Sequence, residues 1–234
     1  MLEVDKINAF YDTIQVLWDV SFNIKEKEIV ALVGANGAGK STVIKVISGL
    51  LHPASGAVTF LGKRIERMSP QHILELGISC IPEGRRLFSD MTVRENLELG
   101  AYLPEAWRKK RERMDQVFQI FPVLRERSKQ LAKTLSGGEQ QMLTIGRGLM
   151  TKPFLCMFDE TSYGLSPIMT LNVLNVIKSL RDQGTTVLLI EQNVKRALDI
   201  ADRAYVLENG RIVLEGASQE ILKNEHVRVA YLGL

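Results

Sequence analysis

Short apolar runs alternate with amphipathic stretches along most of the chain, a pattern typical of strands that alternate with helices. The run at 28–33 is apolar and partly β-branched, as expected for a strand buried in a parallel sheet. Further strands are predicted at 56–60, 78–81, 154–158, 185–190, 203–208 and 211–215. Helices are predicted at 41–48, 69–76, 167–182, 193–200 and 218–223. With an antiparallel hairpin expected near residues 2–24, the pattern predicts an α/β fold with a parallel core and an added antiparallel β portion.

Residues 92–150 carry no convincing strand pattern. Thr92 followed by Glu95 forms a capping box that opens a helix, and further helices are predicted at 105–121 and 138–151. We therefore predict a single domain over 1–234, in which a helical subdomain at 85–151 is inserted into an α/β core made of 1–84 and 152–234. Inside the third of these helices, Gly148 is expected to cost roughly 1 kcal/mol relative to alanine.

The composition is that of an ordinary soluble protein, with 45% hydrophobic and 24% charged residues among 234. A net charge of +3 is too small to indicate nucleic acid by itself. The basic segment at 107–113 is followed by acidic residues, which favours a solvated helix face over a nucleic-acid surface. No apolar run approaches the roughly 18 residues of a membrane span, and the start lacks a signal-peptide pattern, so we expect a cytosolic protein.

Two isolated cysteines offer little chemistry. Cys80 and Cys156 lie in separate apolar runs that resemble strands, and they lack the spacing of metal ligands. We expect both to be small buried core residues, and neither to act as a ligand or a nucleophile.

The most informative motif is Gly34-Ala-Asn-Gly-Ala-Gly-Lys40-Ser41, which fits the phosphate-binding pattern G-x-x-x-x-G-K-[ST] between a predicted strand and a predicted helix. Its glycines let the backbone curl, so that successive N–H groups point at phosphate oxygens. Lys40 would place a positive charge near the β- and γ-phosphates, and the Ser41 hydroxyl would ligate Mg²⁺. The loop indicates nucleotide binding and leaves the use of the nucleotide open.

A second motif is the apolar run 154–158 that ends in Asp159 and Glu160. Such a strand holds both carboxylates at the carboxyl edge of a parallel sheet, where ligands of these sheets bind. Asp159 would hold Mg²⁺, directly or through water, and Glu160 would orient or deprotonate the attacking water.

The third motif is Thr134-Leu-Ser-Gly-Gly-Glu-Gln-Gln141, in which Ser136 can cap a helix whose first amides stay open to an anion. Together the three motifs make the chain resemble the ATP-binding cassette (ABC) family over its whole length. The resemblance implies an ABC-type P-loop NTPase, with a RecA-like core, an antiparallel β portion and a helical subdomain that carries the signature. In that family two cassettes sandwich two ATP molecules, and the signature of one completes the phosphate site of the other.

The resemblance also implies residue roles, with ATP and Mg²⁺ as cofactors. Tyr11 is similar to the aromatic residue that stacks on adenine. The implied nucleotide-binding set is Tyr11, Gly34, Asn36, Gly37, Ala38, Gly39, Lys40, Ser41, Thr42, Ser136, Gly137, Gly138 and Glu139. The implied catalytic residues are Glu160, Gln192 and Glu83, and the implied Mg²⁺ ligands are Ser41, Asp159 and Glu83.

Four positions depart from the usual family pattern. Glu83 replaces the glutamine that senses Mg²⁺ and the membrane subunit, Gln192 replaces the switch histidine, and Ser166 replaces an aspartate. Thr161 replaces a proline after the catalytic glutamate, so the segment that follows is expected to be held less rigidly. These changes bear on turnover more than on ATP binding.

Four segments resemble the ATPase subunits of branched-chain amino-acid importers, the LivF type. They are Pro82-Glu-Gly-Arg-Arg-Leu-Phe88, Leu135-Ser-Gly-Gly-Glu-Gln-Gln-Met-Leu143, Glu191-Gln-Asn193 and Val227-Arg-Val-Ala-Tyr-Leu-Gly233. The implied partners are a second ABC ATPase, either a different paralogue or a second copy, two transmembrane permeases and, indirectly, a periplasmic or extracellular amino-acid-binding protein. The implied location is the cytoplasmic face of the plasma membrane, with no nucleic-acid partner.

Other functions stay open at this point. Related ATPases that transport urea, amides or lipopolysaccharide share most of these motifs. A soluble ABC protein that acts on DNA or ribosomes is disfavoured, because the chain has neither a sustained heptad region nor a second phosphate loop. A P-loop kinase or GTPase would leave the Leu-Ser-Gly-Gly-Glu-Gln segment unexplained.

The altered switch position leads to a first prediction. Because Gln192 replaces the histidine, we expect this chain alone to hydrolyse ATP slowly, and a partner with intact switch residues to serve one composite site. Steady-state ATPase assays of the purified chain test this expectation. Full transporter-level turnover without a partner would contradict it.

Overall fold

The computed structural model describes residues 1–232, so Gly233, which ends the last segment quoted above, lies outside the described residues. The strands are β1 (Leu2–Tyr11), β2 (Ile14–Ile24), β3 (Ile29–Val33), β4 (Ser55–Phe60), β5 (Lys63–Arg64), β6 (Ile78–Ile81), β7 (Leu155–Asp159), β8 (Thr186–Glu191), β9 (Arg203–Glu208) and β10 (Arg211–Ala217). The α-helices are α1 (Lys40–Ile47), α2 (Pro70–Glu75), α3 (Val93–Gly100), α4 (Pro104–Arg108), α5 (Lys110–Ile120), α6 (Pro122–Glu126), α7 (Gly137–Leu149), α8 (Pro167–Asp182), α9 (Val194–Ile200), α10 (Ser218–Ile221) and α11 (Glu225–Val227). Ala132–Thr134 forms a 3-10 turn, and Arg228–Leu232 forms a π-helical turn.

Two sheets organise the molecule. The first is antiparallel, with the strand order β2-β1-β4-β5, and it contains the predicted hairpin. The second has the order β10-β9-β3-β8-β7-β6, in which β9, β3, β8, β7 and β6 run parallel and β10 is antiparallel to β9. The predicted α/β fold with a parallel core and an added antiparallel portion is confirmed.

Strand β3 lies at the centre of the molecule, and all five of its side chains are buried. Ile29, Ala31 and Val33 contribute to the hydrophobic core shared with the helices between β6 and β7 and with α8. Val30 and Leu32, on the opposite face, contribute to the core shared with the antiparallel sheet and α1. Burial on both faces explains why this strand is a continuous apolar run.

The helical segment between β6 and β7 differs in detail from its prediction. One charged helix was expected over 105–121, but the chain leaves the helical conformation at Lys109 (φ −99°, ψ 14°), which separates α4 from α5. Pro122 then starts α6, which the sequence pattern did not predict, because proline favours the first turn of a new helix. The described residues of this segment include no strand, while its boundaries as a subdomain stay a prediction.

Other predicted bounds differ less. Helix α10 ends at Ile221 and not at residue 223, and the short elements β5 and α11 were not predicted, because they are too short to show a period. In the part of the chain that the structure describes, no helix has both the length and the apolar character needed to span a bilayer.

Gly148 has a packing role that its low helix propensity does not reveal. A Cβ added there would lie 2.9 Å from Ile81 Cγ1, closer than such atoms normally approach. The carbonyl oxygen of Gly148 also accepts a hydrogen bond from Ser79 Oγ at 3.1 Å. The glycine therefore lets α7 pack closely on β6, and this contact offsets the expected conformational cost.

The burial of the two cysteines and the exposure of the basic segment were only partly predicted. Cys156 is fully buried, as expected, but Cys80 is partly exposed, and burial raises the pKa of its thiol to about 12. In the basic segment, Trp107 is half-exposed and Lys110 Nζ lies 3.3 Å from its ring centroid, which fits a solvated face. Arg113 is the exception, because it is buried and donates to the Met150 carbonyl at 3.0 Å.

Candidate nucleotide-binding site

The phosphate loop connects the end of β3 to the start of α1. Gly37 (φ 80°) and Gly39 (φ 109°) adopt left-handed backbone conformations that favour glycine, and Gly39 caps α1. Lys40 is buried, and its Nζ donates to the carbonyls of Gly34 at 2.9 Å and Ala35 at 3.1 Å. The loop is therefore curled around the lysine, and the first backbone amides of α1 lie at the end of the loop.

Two acidic residues meet the loop from the end of β7. Ser41 Oγ donates to Asp159 Oδ1 at 3.4 Å, and Glu160 Oε1 lies 3.3 Å from Lys40 Nζ. Burial, followed by the nearby charges of Glu160 and Glu83, raises the pKa of Asp159. The site thus concentrates negative charge around one buried lysine, which favours a bound cation.

The donor set at this edge fits Mg²⁺. The Ser41 hydroxyl and the Asp159 carboxylate are hard oxygen donors 3.4 Å apart. Among residues 1–232, no group of three or more His, Cys, Asp or Glu side chains is arranged to hold a metal ion by itself. Mg²⁺ bound beside phosphates needs only one or two protein oxygens, because phosphate oxygens and water complete its shell.

The remaining catalytic candidates line the same cleft, whose volume is about 420 Å³. Glu83 reaches it from the segment after β6, and Gln192 reaches it from the end of β8. The complete lining is Val16, Asn36, Gly37, Gly39, Lys40, Ser41, Thr42, Glu83, Glu160, Tyr163 and Gln192. The ends of four parallel strands therefore meet at one cleft, as expected for an α/β sheet.

Tyr11 lies beside the loop, outside the lining of this cleft. It ends β1 and is 39% exposed, and its hydroxyl accepts a hydrogen bond from Lys45 Nζ at 3.0 Å. Burial alone would raise the pKa of Tyr11, but hydrogen bonds with Lys45 and Thr42 lower it. The ring therefore lies next to α1 with its face accessible, and its stacking on adenine stays a prediction.

The signature serine caps α7 as predicted. Ser136 Oγ accepts from the Glu139 N–H at 3.4 Å, and Glu139 Oε2 accepts from the Ser136 N–H at 2.8 Å. Arg127 lies 3.2 Å from Glu139 Oε1 and anchors the same carboxylate. The serine and the glutamate are thus used within their own chain to shape the start of the helix.

The signature glycines allow two close contacts. A Cβ at Gly137 would lie 3.1 Å from the Arg85 guanidinium, and a Cβ at Gly138 would overlap Met169. Among the described residues, none at 136–139 lines the phosphate cleft. The structure therefore does not bring the two halves of the predicted ATP site together within one chain.

Sequence reasoning missed the contacts that hold the segment after Glu160. Glu191 is only 3% exposed, and it accepts hydrogen bonds from Ser162 Oγ at 2.8 Å and the Ser162 N–H at 3.2 Å. Burial raises the pKa of Glu191. Glu160 itself has a left-handed backbone (φ 46°), which is uncommon outside glycine and is typical of functional sites. Tyr163, which stands where the resembling importer ATPases have leucine, also lines the cleft.

Ser166, which departs from the family pattern, and Asn193, which follows the altered Gln192, both act as helix caps. Ser166 Oγ accepts from the Met169 N–H at 3.4 Å at the start of α8. Asn193, which follows Gln192, accepts from the Arg196 N–H at 3.0 Å at the start of α9. These caps fix where the segments after Glu160 and β8 leave the site.

Comparison with known proteins agrees with this geometry, which is that of a P-loop ATP-binding cassette. The ABC transporter family matches residues 17–163. The chain is 48% identical to the high-affinity branched-chain amino acid transport ATP-binding protein BraG of Pseudomonas aeruginosa, over the full length of both chains. It is 40% identical to a probable branched-chain amino acid transport ATP-binding protein, LivF, of Archaeoglobus fulgidus, covering 100% of this chain and 99% of that protein.

A solved structure agrees as well. The nucleotide-free ATP-binding cassette of an ABC transporter superposes with a TM-score of 0.88 at 28% identity, covering 99% of this chain and 97% of the other. The chain therefore belongs to the ABC transporter family and is one of its ATP-binding proteins.

Thr161 provides a prediction about stability. It is 2% exposed, and its Oγ1 has no hydrogen-bond partner among the described residues. Thr161→Val keeps the shape and removes the unpaired hydroxyl, so we expect the free energy of unfolding to rise by about 1 kcal/mol. The midpoint of thermal unfolding would then rise by roughly 2–4 °C.

Thr144→Val is the matched control for this change. The Thr144 hydroxyl lies 2.8 Å from the Arg85 carbonyl and 2.9 Å from the Gln140 carbonyl, so its loss should lower the unfolding temperature. Equal destabilisation by both substitutions would show that the Thr161 hydroxyl is satisfied.

Proposed function

We propose that this chain is the ATP-hydrolysing subunit of an importer for branched-chain amino acids. The observation that carries the proposal is the arrangement of Lys40, Ser41, Asp159 and Glu160 at one sheet edge, while the signature residues lie outside the lining of this cleft. The cargo is supported by the 48% identity to a branched-chain amino acid transport protein over both full chains.

The side chains suggest how ATP is used. Lys40 is paired with Glu160 and donates hydrogen bonds to two loop carbonyls. A γ-phosphate on the loop would compete for Lys40 and release the Glu160 carboxylate to orient or deprotonate a water molecule. Mg²⁺ held by Ser41 and Asp159 would supply charge that neutralises the phosphates.

The site requires a second cassette. Ser136 is exposed at the capped start of α7, and it and the two glycines lie outside the cleft of their own chain, so we expect them to be available to the phosphates of a partner. That partner is a different ATPase subunit or a second copy of this chain. ATP would then close the pair, and hydrolysis would reopen it.

A groove of about 520 Å³ lies between the sheet core and α3 and suits a permease segment. Its rim carries exposed apolar side chains, including Leu50, Phe88 and Tyr102, and its floor includes Cys80 and Gly148. Exposed apolar side chains clustered around a groove are typical of a docking surface. We propose that a cytoplasmic helix of a permease occupies it, which places the chain at the cytoplasmic face of the membrane.

Glu160→Gln tests the proposed catalytic base. The glutamine keeps the shape but cannot accept a proton, so we expect hydrolysis to fall by at least 100-fold, while ATP is retained and the dimer accumulates. Single-turnover hydrolysis and equilibrium binding of ATP measure the two effects. Hydrolysis at the unaltered rate would show that Glu160 is not the base.

Uptake by cells tests the transport function. In cells that lack this gene, we expect uptake of labelled leucine to fall and uptake of labelled urea to stay unchanged, and the intact chain should restore the first. Phe88→Asp should bind ATP normally but fail to restore leucine uptake and fail to co-purify with permeases. Val213→Asp, at a half-exposed apolar side chain of β10, is the matched control and should restore both.

Two outcomes would overturn the transport function as stated. Loss of urea uptake with normal leucine uptake would contradict the cargo. Co-purification of the chain with ribosomes or DNA in place of permeases would contradict the transporter role.

A further inference from the structure

The rear of the phosphate loop rests on the hairpin formed by β9 and β10. A Cβ at Gly34 would overlap the Leu207 carbonyl oxygen, so the loop and β9 are in direct contact. The Gly210 N–H donates to the Ala38 carbonyl at 2.9 Å, and the Trp18 N–H donates to the Gly210 carbonyl at 2.9 Å. The hairpin therefore fixes the loop from the side opposite the cleft.

The C-terminal segment joins the same hairpin. Glu208 ends β9, and its Oε1 accepts a hydrogen bond from Tyr231 Oη at 2.8 Å and lies 2.8 Å from His226 Nε2. Asn224 caps the turn by accepting from the Val227 N–H at 3.4 Å, and Val227 is fully buried. Tyr231 is thus held in place by packing and by one directed hydrogen bond.

Tyr231 reaches the phosphate loop through β9, because Glu208 directly follows Leu207, whose carbonyl oxygen lies against Gly34. Burial and Glu208 raise the pKa of its phenol to about 12, while the nearby backbone of Ala35 lowers it. The phenol is therefore protonated at neutral pH and donates to Glu208. The carbonyl of Ala35 accepts from Lys40 Nζ at 3.1 Å. The carbonyl of Gly34, the loop residue that meets Leu207, also accepts from Lys40 Nζ at 2.9 Å.

We propose that Tyr231 is a positioning residue for the phosphate loop. Through Glu208 and the adjacent Leu207 it holds Gly34 so that Lys40 points into the loop, and the C-terminal segment thereby sets the affinity for nucleotide. The ring supplies the packing, and the hydroxyl supplies the hydrogen bond to β9. This inference rests on the nucleotide site proposed above.

Tyr231→Phe tests the role, because it keeps the ring and removes the hydroxyl. We expect the Kd for Mg·ADP, measured by titration calorimetry, and the KM for ATP to rise about 3- to 10-fold, with kcat within twofold of the unmodified chain. Tyr205→Phe is the matched control on β9. Its buried hydroxyl accepts from the Asn23 N–H at 3.3 Å, away from the loop, so its loss should lower the unfolding temperature without changing nucleotide affinity.

A double-mutant cycle with Glu208→Ala tests whether Tyr231 acts on the loop through its hydrogen bond to Glu208. We expect Tyr231→Phe to have less than twofold effect on Kd once Glu208 is removed, because the hydroxyl then has no acceptor on β9. Unchanged affinity in Tyr231→Phe, or an equal loss in Tyr205→Phe, would overturn the inference while leaving the nucleotide site intact. An unmodified chain that fails to bind ADP would instead overturn the proposed function and this inference with it.

Discussion

One buried lysine in the phosphate loop organises this molecule. Lys40 is almost inaccessible, and its charge is balanced by two carbonyls and by Glu160, while Asp159 and Glu83 add negative charge nearby. The carboxylates around it are crowded, because burial and the charges of Glu160 and Glu83 raise the pKa of Asp159 although Lys40 lowers it. A nucleotide with Mg²⁺ would give Lys40 phosphate oxygens to bind and would give the carboxylates a cation. The site is therefore arranged for its ligands more than for its own stability.

Different elements carry the phosphate cleft and the signature residues. The parallel strands β3, β6, β7 and β8 bring four segments to one edge, and the β9–β10 hairpin holds the loop from behind. The signature helix α7 packs closely on β6 through Gly148, but its capped start lies outside the cleft. Because this start lies outside the cleft, the proposed composite site would need the signature of a second cassette.

Much of the candidate site could be predicted from local sequence motifs. The phosphate loop, the acidic end of β7 and the Ser136 cap depend on contiguous residues, so the sequence reveals them directly. Contacts between distant segments were not predictable, because no period or motif encodes them. The hydrogen bonds from Ser162 to Glu191, the packing of Gly148 on Ile81 and the bond from Tyr231 to Glu208 are of this kind. The break at Lys109 was missed because a charged, helix-forming residue gives no stop signal.

The most direct test of the composite site is the ATP-dependent association of the Glu160→Gln chain with and without Ser136→Arg, followed by sedimentation equilibrium. If the signature of one chain completes the phosphate site of the other, Ser136→Arg should leave ATP binding to the monomer intact and abolish the dimer. A dimer population unaffected by Ser136→Arg would contradict the composite site.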